Sequence, residues 1–496
     1  MCSKRLCALA VALGSFWSLL AAGTAYGQQS AAGKPLNFLF VLVDDLGWAD
    51  VGCYGADLHE TPNIDRLAGQ GMRFTDAYAS ASVCTPTRAA IMTGKYPARL
   101  HMTIWREAAS QPPRNTKVIP PVVTADLPLA EVSIVRALQS AGYLTALVGK
   151  WHLGNAEHYP EAHGFDINIG GTIWGAPQTH FYPYRGSKLW GGEVRYVPHL
   201  EWGKPGEYLT DRLTDEAINI LERAKDRPFF LYLAHHTVHT PIEAPQPLID
   251  RYAGKLRAGL NHANPTYAAM THSLDDNMGR LLEKLQQLQI ADRTVVVFTS
   301  DNGGFINQYQ QMTVTNNAPL RSGKGALYEG GVRVPLIVRW PGVAAAGSVC
   351  HQPVVSMDFY PTILQMANAK GDPKHNAGVD GLSLVPLLKQ QQQGLSRDAL
   401  FWHYPHYYNT TSPVSSVRAG PWKLLEFHED MHVELYNLQG DLGEQKDLAA
   451  QQPERAGQLR QRLHAWRQAV DAQMPVPNPD YGKKKGPGKP KAKAGG

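Results

Sequence analysis

The stretch Leu36-Asn37-Phe38-Leu39-Phe40-Val41-Leu42-Val43 runs straight into Asp44-Asp45, and this sequence of apolar run and then acids decides the fold. Three further runs repeat the arrangement. Leu144 to Val148 leads to Lys150 and His152, Phe229 to Leu233 leads to His235, His236 and His239, and Thr294 to Phe298 leads to Asp301-Asn302. Their length and their β-branched and aromatic content give these runs strand character. Helical patterns lie between them, at Leu129 to Ser140 before Gly142, at Leu213 to Lys225, and from about Tyr267 to Leu288. Strands alternating with helices predict an α/β fold, a large mixed, mainly parallel sheet sandwiched by helices. Open sheets of that kind bind ligands beyond the carboxyl ends of their strands. The four polar clusters are therefore expected to meet on one rim.

Outward from this core the pattern changes. The Gln-rich segment Lys389 to Gly394 reads as a surface linker, and Ala399 to Tyr404, Val414 to Arg418 and Trp422 to Phe427 read as short strands. A helix from about Pro453 to Ala472 follows. The expected division is a catalytic domain over 35–390, a smaller antiparallel-sheet-plus-helix domain over 395–475, and a disordered basic tail over 476–496. At the other end, Lys4 and Arg5, the apolar run Leu6 to Leu20 and the small residues ending at Gly27 predict a cleavable secretory signal over 1–27, hence a secreted or periplasmic protein with no stable membrane insertion.

The chain has 496 residues, 43% of them apolar, enough for a large core. Its net charge of +5 rests on six tail lysines; removing them leaves −1, and removing Lys4 and Arg5 as well leaves −3. The body thus has no global basic field that would mark nucleic acid as a partner. Loss of the leader removes Cys2 and Cys7 and leaves Cys53, Cys84 and Cys350, an odd number that predicts at least one unpaired or altered thiol.

Asp44, Asp45, Asp301 and Asn302 offer only oxygen, three times from carboxylates, which suits a hard divalent cation, and calcium better than magnesium where the geometry is irregular. In Cys84-Thr85-Pro86-Thr87-Arg88 the cysteine stands just before Pro86, a residue favoured at the first helical position. A helix starting there would aim free amides and its positive dipole end at Cys84, with Arg88 returning from one turn in. Such a setting favours an anionic nucleophile.

Cys84-x-Pro86-Thr87-Arg88 with Gly94 six residues after the arginine resembles the signature of the type I sulfatases, whose fold is alkaline phosphatase-like and whose cysteine is converted to formylglycine. Further blocks are similar in the same order. These are Asp44-Asp45-Leu46-Gly47-Trp48, Thr61-Pro62-Asn63-Ile64-Asp65-Arg66, Gly149-Lys150-Trp151-His152, Ser300-Asp301-Asn302-Gly303-Gly304, and Gly323-Lys324 through Arg333-Val334-Pro335. A serine that some arylsulfatases carry after Gly164-Phe165-Asp166 has no counterpart.

The resemblance implies one calcium ion held by Asp44, Asp45, Asp301, Asn302 and the modified Cys84, and formylglycine made from Cys84 by a formylglycine-generating or sulfatase-maturing enzyme. It implies that Arg88 holds the formylglycine, that Lys150 and Lys324 grip sulfate oxygens, that His152 partners the formylglycine hydroxyl, and that His239, chosen among three histidines by its spacing to Pro241, protonates the leaving alcohol. The three histidines alone would also admit zinc. On this pattern a hydrated aldehyde attacks sulfur and its second hydroxyl later expels sulfate, as a serine could not. The substrate implied is a sulfated small molecule or glycan, with a carbohydrate sulfate ester first. The aromatic run Trp402-His403-Tyr404-Pro405-His406-Tyr407-Tyr408, and Trp174 and His180, are candidate sugar contacts. The alternatives are a phosphate or phosphonate ester hydrolase of the same superfamily, and a non-catalytic sulfated-glycan-binding protein should Cys84 remain a thiol.

Overall fold

A computed structural model describes residues 34–483 apart from 112, 114 and 393. The signal segment and most of the Lys-rich tail lie outside the described residues. The main sheet has eight strands: β1 Asn37–Val43, β2 Met72–Phe74, β3 Leu144–Gly149, β4 Ile167–Ile169, β5 Phe229–Ala234, β6 Thr294–Ser300, β7 Leu336–Arg339 and β8 Ser348–Cys350. Their spatial order is β8-β2-β7-β6-β1-β5-β3-β4, and every neighbour is parallel except across β7, which runs against both β6 and β2. The four strands read from sequence occupy the centre. Missing from that reading were β2, β4, β7 and β8, which are three or four residues long and too short to carry a period.

β1 is buried on both faces, which is why its apolar run does not alternate with polar residues. Leu39, Val41 and Val43 pack with the helices α1 Pro62–Gln70, α4 Leu209–Ala224 and α5 Pro265–Gln287. Phe38, Phe40 and Leu42 pack with α2 Cys84–Thr93, α3 Ile134–Ser140 and α6 Phe359–Met366. Phe40 meets Phe359 edge-on at 5.1 Å and stacks on Tyr232 at 5.4 Å. Burying each such side chain stabilises the fold by roughly 1.5–3 kcal/mol. α3 starts at Ile134 and not Leu129, because Ser133 caps it by accepting from the Arg136 amide.

The C-terminal part is a four-stranded antiparallel sheet, β9 Leu400–Tyr404, β10 Val414–Ala419, β11 Trp422–Phe427 and β12 Val433–Asn437, covered by α7 Pro453–Ala469. β12 was not expected from the sequence. Leu424, Leu435, Leu459 and Leu463 share one cluster with Tyr78, Val83, Ala90, Ala326 and Met357, so this sheet packs against the segments that flank Cys84 and Lys324. The start of the expected tail is ordered, since Val476–Pro477 pairs with Val118–Ile119 and the Asn478 side chain donates to the Thr116 carbonyl at 2.8 Å. Backbone pairing there offsets the lost chain entropy. Among the described residues no helix is long and apolar enough to cross a membrane.

Candidate active site

Strand register brings the acids together. Val43 pairs with Ser300, so the next residues, Asp44 and Asp301, stand side by side as the chain leaves the sheet. Gly149 pairs with Ala234, which puts Lys150 on the same rim, and its amide donates to the Ala234 carbonyl at 2.8 Å. Gly149 has φ +102°, and a Cβ there would lie 2.0 Å from the Ala234 oxygen, so only glycine fits. Asp45 and His152 are non-glycine residues at φ 64° and 62°, conformations costing about 1–3 kcal/mol each that collect at functional sites.

Asp44, Asp45, Asp301 and Asn302 are all buried. The Arg88 Nε donates to Asp301 Oδ2 at 2.9 Å, its Nη2 lies 2.8 Å from the same oxygen, and its Nη1 donates to the Lys150 carbonyl at 3.1 Å. Lys150 Nζ donates to Asp44 Oδ2 at 2.7 Å, Lys324 Nζ to Asp45 Oδ2 at 2.8 Å, and Asn302 Nδ2 to Asp45 Oδ1 at 2.7 Å. Burial opposes ionisation of Asp45, yet Lys324, His239 and Lys150 hold it at about 2. Asp301 moves the other way, raised by burial and by the Asp44 carboxylate. Asp44 Oδ1 and Asn302 Oδ1 are buried with no hydrogen-bond partner, and ligand atoms of Asp44, Cys84 and Asp301 lie within 4.8 Å of one another. Orphaned buried oxygens in an acidic cluster fit a hard cation.

Cys84 is the first residue of α2 and is buried. Two contacts seat it: Thr85 Oγ1 donates to the His152 carbonyl at 3.0 Å, and Ser82 exchanges bonds with Gly325, next to Lys324, at 2.8 and 2.9 Å. Burial works against the thiolate, but Lys150, Lys324 and the neighbouring His152 lower the thiol below its ordinary value. His152 Nε2 lies 2.9 Å from Glu107 Oε2. Although burial opposes it, Glu107 and Cys84 raise His152 above its ordinary value. His239 Nε2 is 3.6 Å from Asp45 Oδ2, and burial together with Lys324 lowers its ring to about 3.

All ten residues singled out from the sequence therefore lie in one place, beneath a cavity of about 210 Å³ lined by Asp45, Cys84, His152, His239 and Lys324. Its outer wall holds Tyr408, from the aromatic run expected to meet sugar, together with Trp105, Glu107, Trp190, Arg195 and Phe305, which were not read from the sequence. The wall comes from loops and one-turn helices, too short for any periodicity to mark a residue.

The candidate sugar contacts fare differently. Tyr408 alone of the aromatic run lines this cavity. Trp402 is buried, its indole donating to the Ala79 carbonyl at 2.9 Å; His403 bonds Ser415 and the Gln473 carbonyl, and His406 bonds Thr103. These are satisfied core residues. Trp174 donates to Glu193, and His180 is buried against the His239 carbonyl, so neither reaches the cavity. The three histidines do not form a zinc cluster: among the described residues, His239 alone of them belongs to a group that could hold a metal.

Two family descriptions match the chain. They are Sulfatase over residues 36–369 and N-sulphoglucosamine sulphohydrolase, C-terminal, over residues 323–469. A sulfatase of Formosa agariphila is 34% identical, covering 88% of this chain and 90% of its own. Human N-acetylgalactosamine-6-sulfatase is 34% identical over 79% of this chain and 75% of its own. The crystal structure of Ps i-CgsB in complex with k-i-k-neocarrahexaose superposes with a TM-score of 0.75 at 29% identity, covering 89% of this chain and 94% of that one. With the acid rim, the cysteine at a helix start and the two lysines in the family's order, the chain belongs to the sulfatase family and is a sulfuric ester hydrolase.

Proposed function

We propose that the enzyme cleaves sulfate esters on carbohydrate, with Cys84 matured to formylglycine and one calcium ion in the acid rim. The observation that carries this reading is the seating of Cys84 among Lys150, Lys324 and His152 beside four oxygen-donating residues, at the floor of an aromatic cavity. Asp44, Asp45, Asp301 and Asn302 would hold the calcium, which supplies Lewis acidity toward sulfuryl oxygen. Formylglycine supplies a hydroxyl nucleophile whose partner hydroxyl permits release of sulfate.

The chain's own residues do the rest. Arg88, fixed by Asp301 and the Lys150 carbonyl, orients residue 84. Lys150 and Lys324 are charged donors beside Cys84 and neutralise the sulfate as charge builds. His152, backed by Glu107, holds a proton next to residue 84, and His239, beside Asp45, gives one to the departing sugar oxygen from its protonated form, which Asp45 and the charge of bound sulfate favour against the burial that otherwise lowers the ring. The relatives named for N-acetylgalactosamine 6-sulfate and crystallised with a neocarrahexaose support a sulfated sugar as the substrate class. On this reading residues 1–27 direct export, and a formylglycine-generating enzyme acts on the chain.

The test is peptide mass spectrometry of the Cys84 fragment from native-host protein, paired with sulfate release from sulfated monosaccharides. Conversion lowers the peptide by about 18 Da relative to the thiol. A thiol in every molecule, together with no sulfate release, refutes the proposal and favours a binding protein.

A further inference from the structure

Above its floor, the cavity has no free cation among the described residues that line it. Lys324 is held by Asp45, and the one guanidinium on the outer wall, Arg195, is engaged on three sides. Its Nε donates to Glu193 Oε2 at 2.7 Å, its Nη2 stands 3.7 Å from Glu107 Oε1, and its guanidinium carbon lies 4.9 Å from the centre of the Trp190 ring. Two carboxylates thus face one guanidinium. Glu107 itself is 31% exposed, and beyond Arg195 its Oε1 has one long contact, 3.4 Å from the Gly175 amide, which leaves it an acceptor turned to the cavity. Trp105, Trp190, Phe305 and Tyr408 complete the wall with apolar faces, Trp105 and Tyr408 meeting edge-on at 5.5 Å.

We infer that this wall selects a sugar ring whose sole anion is the sulfate being cleaved, with Glu107 and the Glu193-held Arg195 as its specificity determinants. The inference rests on the sulfate-ester reading of the same site and names its substrate more narrowly: a monosulfated neutral hexose or N-acetylhexosamine, not a uronic acid or a disulfated ring. A neutral ring gives Glu107 a hydroxyl to accept from and stacks on the aromatic faces. A second sulfate or a carboxylate on that ring meets Glu107 and finds Arg195 already occupied, the arrangement by which binding sites reject a wrong partner.

The experiment compares kcat/KM for galactose monosulfates, one for each ring position, with the same compounds carrying a second sulfate, using wild-type enzyme and Glu193→Gln. 4-Nitrophenyl sulfate reads sulfate ester hydrolysis itself. The wild type is expected to prefer the monosulfate about 10-fold or more, and Glu193→Gln, which removes one of the two negative charges facing Arg195, to narrow that ratio about 5-fold. Each ratio is internal to one protein, so lower yield or stability of the variant does not blur it. Equal turnover of both sets by the wild type, or an unchanged ratio in the variant, overturns the selectivity while turnover of 4-nitrophenyl sulfate leaves the sulfatase reading standing. No turnover of any of these compounds by formylglycine-bearing enzyme overturns both.

Discussion

Replacing Lys423 by Met should destabilise the protein in a strongly pH-dependent way. Lys423, on β11, is fully buried, with its Nζ 2.8 Å from Glu329 Oε1 and 3.1 Å from Glu444 Oε1, both carboxylates buried as well. Glu329, five residues after Lys324, also accepts from Tyr78 at 2.6 Å, so the ammonium ties the C-terminal sheet to the segment that carries Lys324. Burial would raise Glu329, but Lys423 holds it at about 2, whereas burial and the Glu329 charge push Glu444 up to about 7.

Near pH 7 Glu444 is half neutral already, so the variant must neutralise Glu329. Taking a carboxyl of ordinary value 4.5 to its protonated form at pH 7 costs about 3 kcal/mol, within the roughly 3–5 kcal/mol seen when one partner of a buried pair is removed. At pH 5 the same step costs less than about 1 kcal/mol. A chain of this length loses about 1 °C in Tm per kcal/mol, so differential scanning fluorimetry should show a drop of about 3 °C at pH 7 and about 1 °C at pH 5. Adding Glu329→Gln should recover most of the loss. A Tm unchanged at pH 7, or a deficit as large at pH 5 as at pH 7, would refute the reasoning.

Glu444 predicts a pH trend of its own. Because its folded value is raised from 4.5 to about 7, the native state holds a proton that the unfolded chain releases, so its contribution is complete below pH 4.5, fades as pH rises to about 7, and is absent from Glu444→Gln in denaturant titrations across that window. Gly149→Ala should cost about 1–3 kcal/mol from backbone strain alone, and because it pushes Lys150 and His152 off the rim, kcat/KM should fall at least about 10-fold; unchanged kinetics would show that the Ala234 contact does not set the site. Removing divalent cation with EGTA should lower both Tm and activity, and calcium at about 100 times its Kd should restore about 2.7 kcal/mol of stability; no thermal shift on adding calcium would contradict a cation in the acid rim.

The central fold was legible because β1, β3, β5 and β6 are buried on both faces and therefore show as unbroken apolar runs, each ending in the polar residues that the rim needs. The ten candidate residues were legible as a cluster for a related reason: all but Lys324, which lies in a loop, sit in short blocks after strand ends or at one helix start, so local order along the chain reflects their place in space. Cys84 with Arg88, and Lys150 with His152, are each within one turn or loop of one another. The cavity wall has no such signature. Glu107 reaches His152 from 45 residues away, and Tyr408, Trp105 and Arg195 come from three separate segments. Nor did local pattern separate Tyr408, which faces the cavity, from Trp402, His403 and His406, whose polar atoms are satisfied inside the core. Chemistry was thus written into the sequence as motifs that rest on backbone register, which repeats along a strand and can be read locally. What surrounds the substrate, and which buried charges share Lys423, depend on long-range packing of loops and sheets, where a residue's neighbours are set by the whole fold and not by its place in the chain.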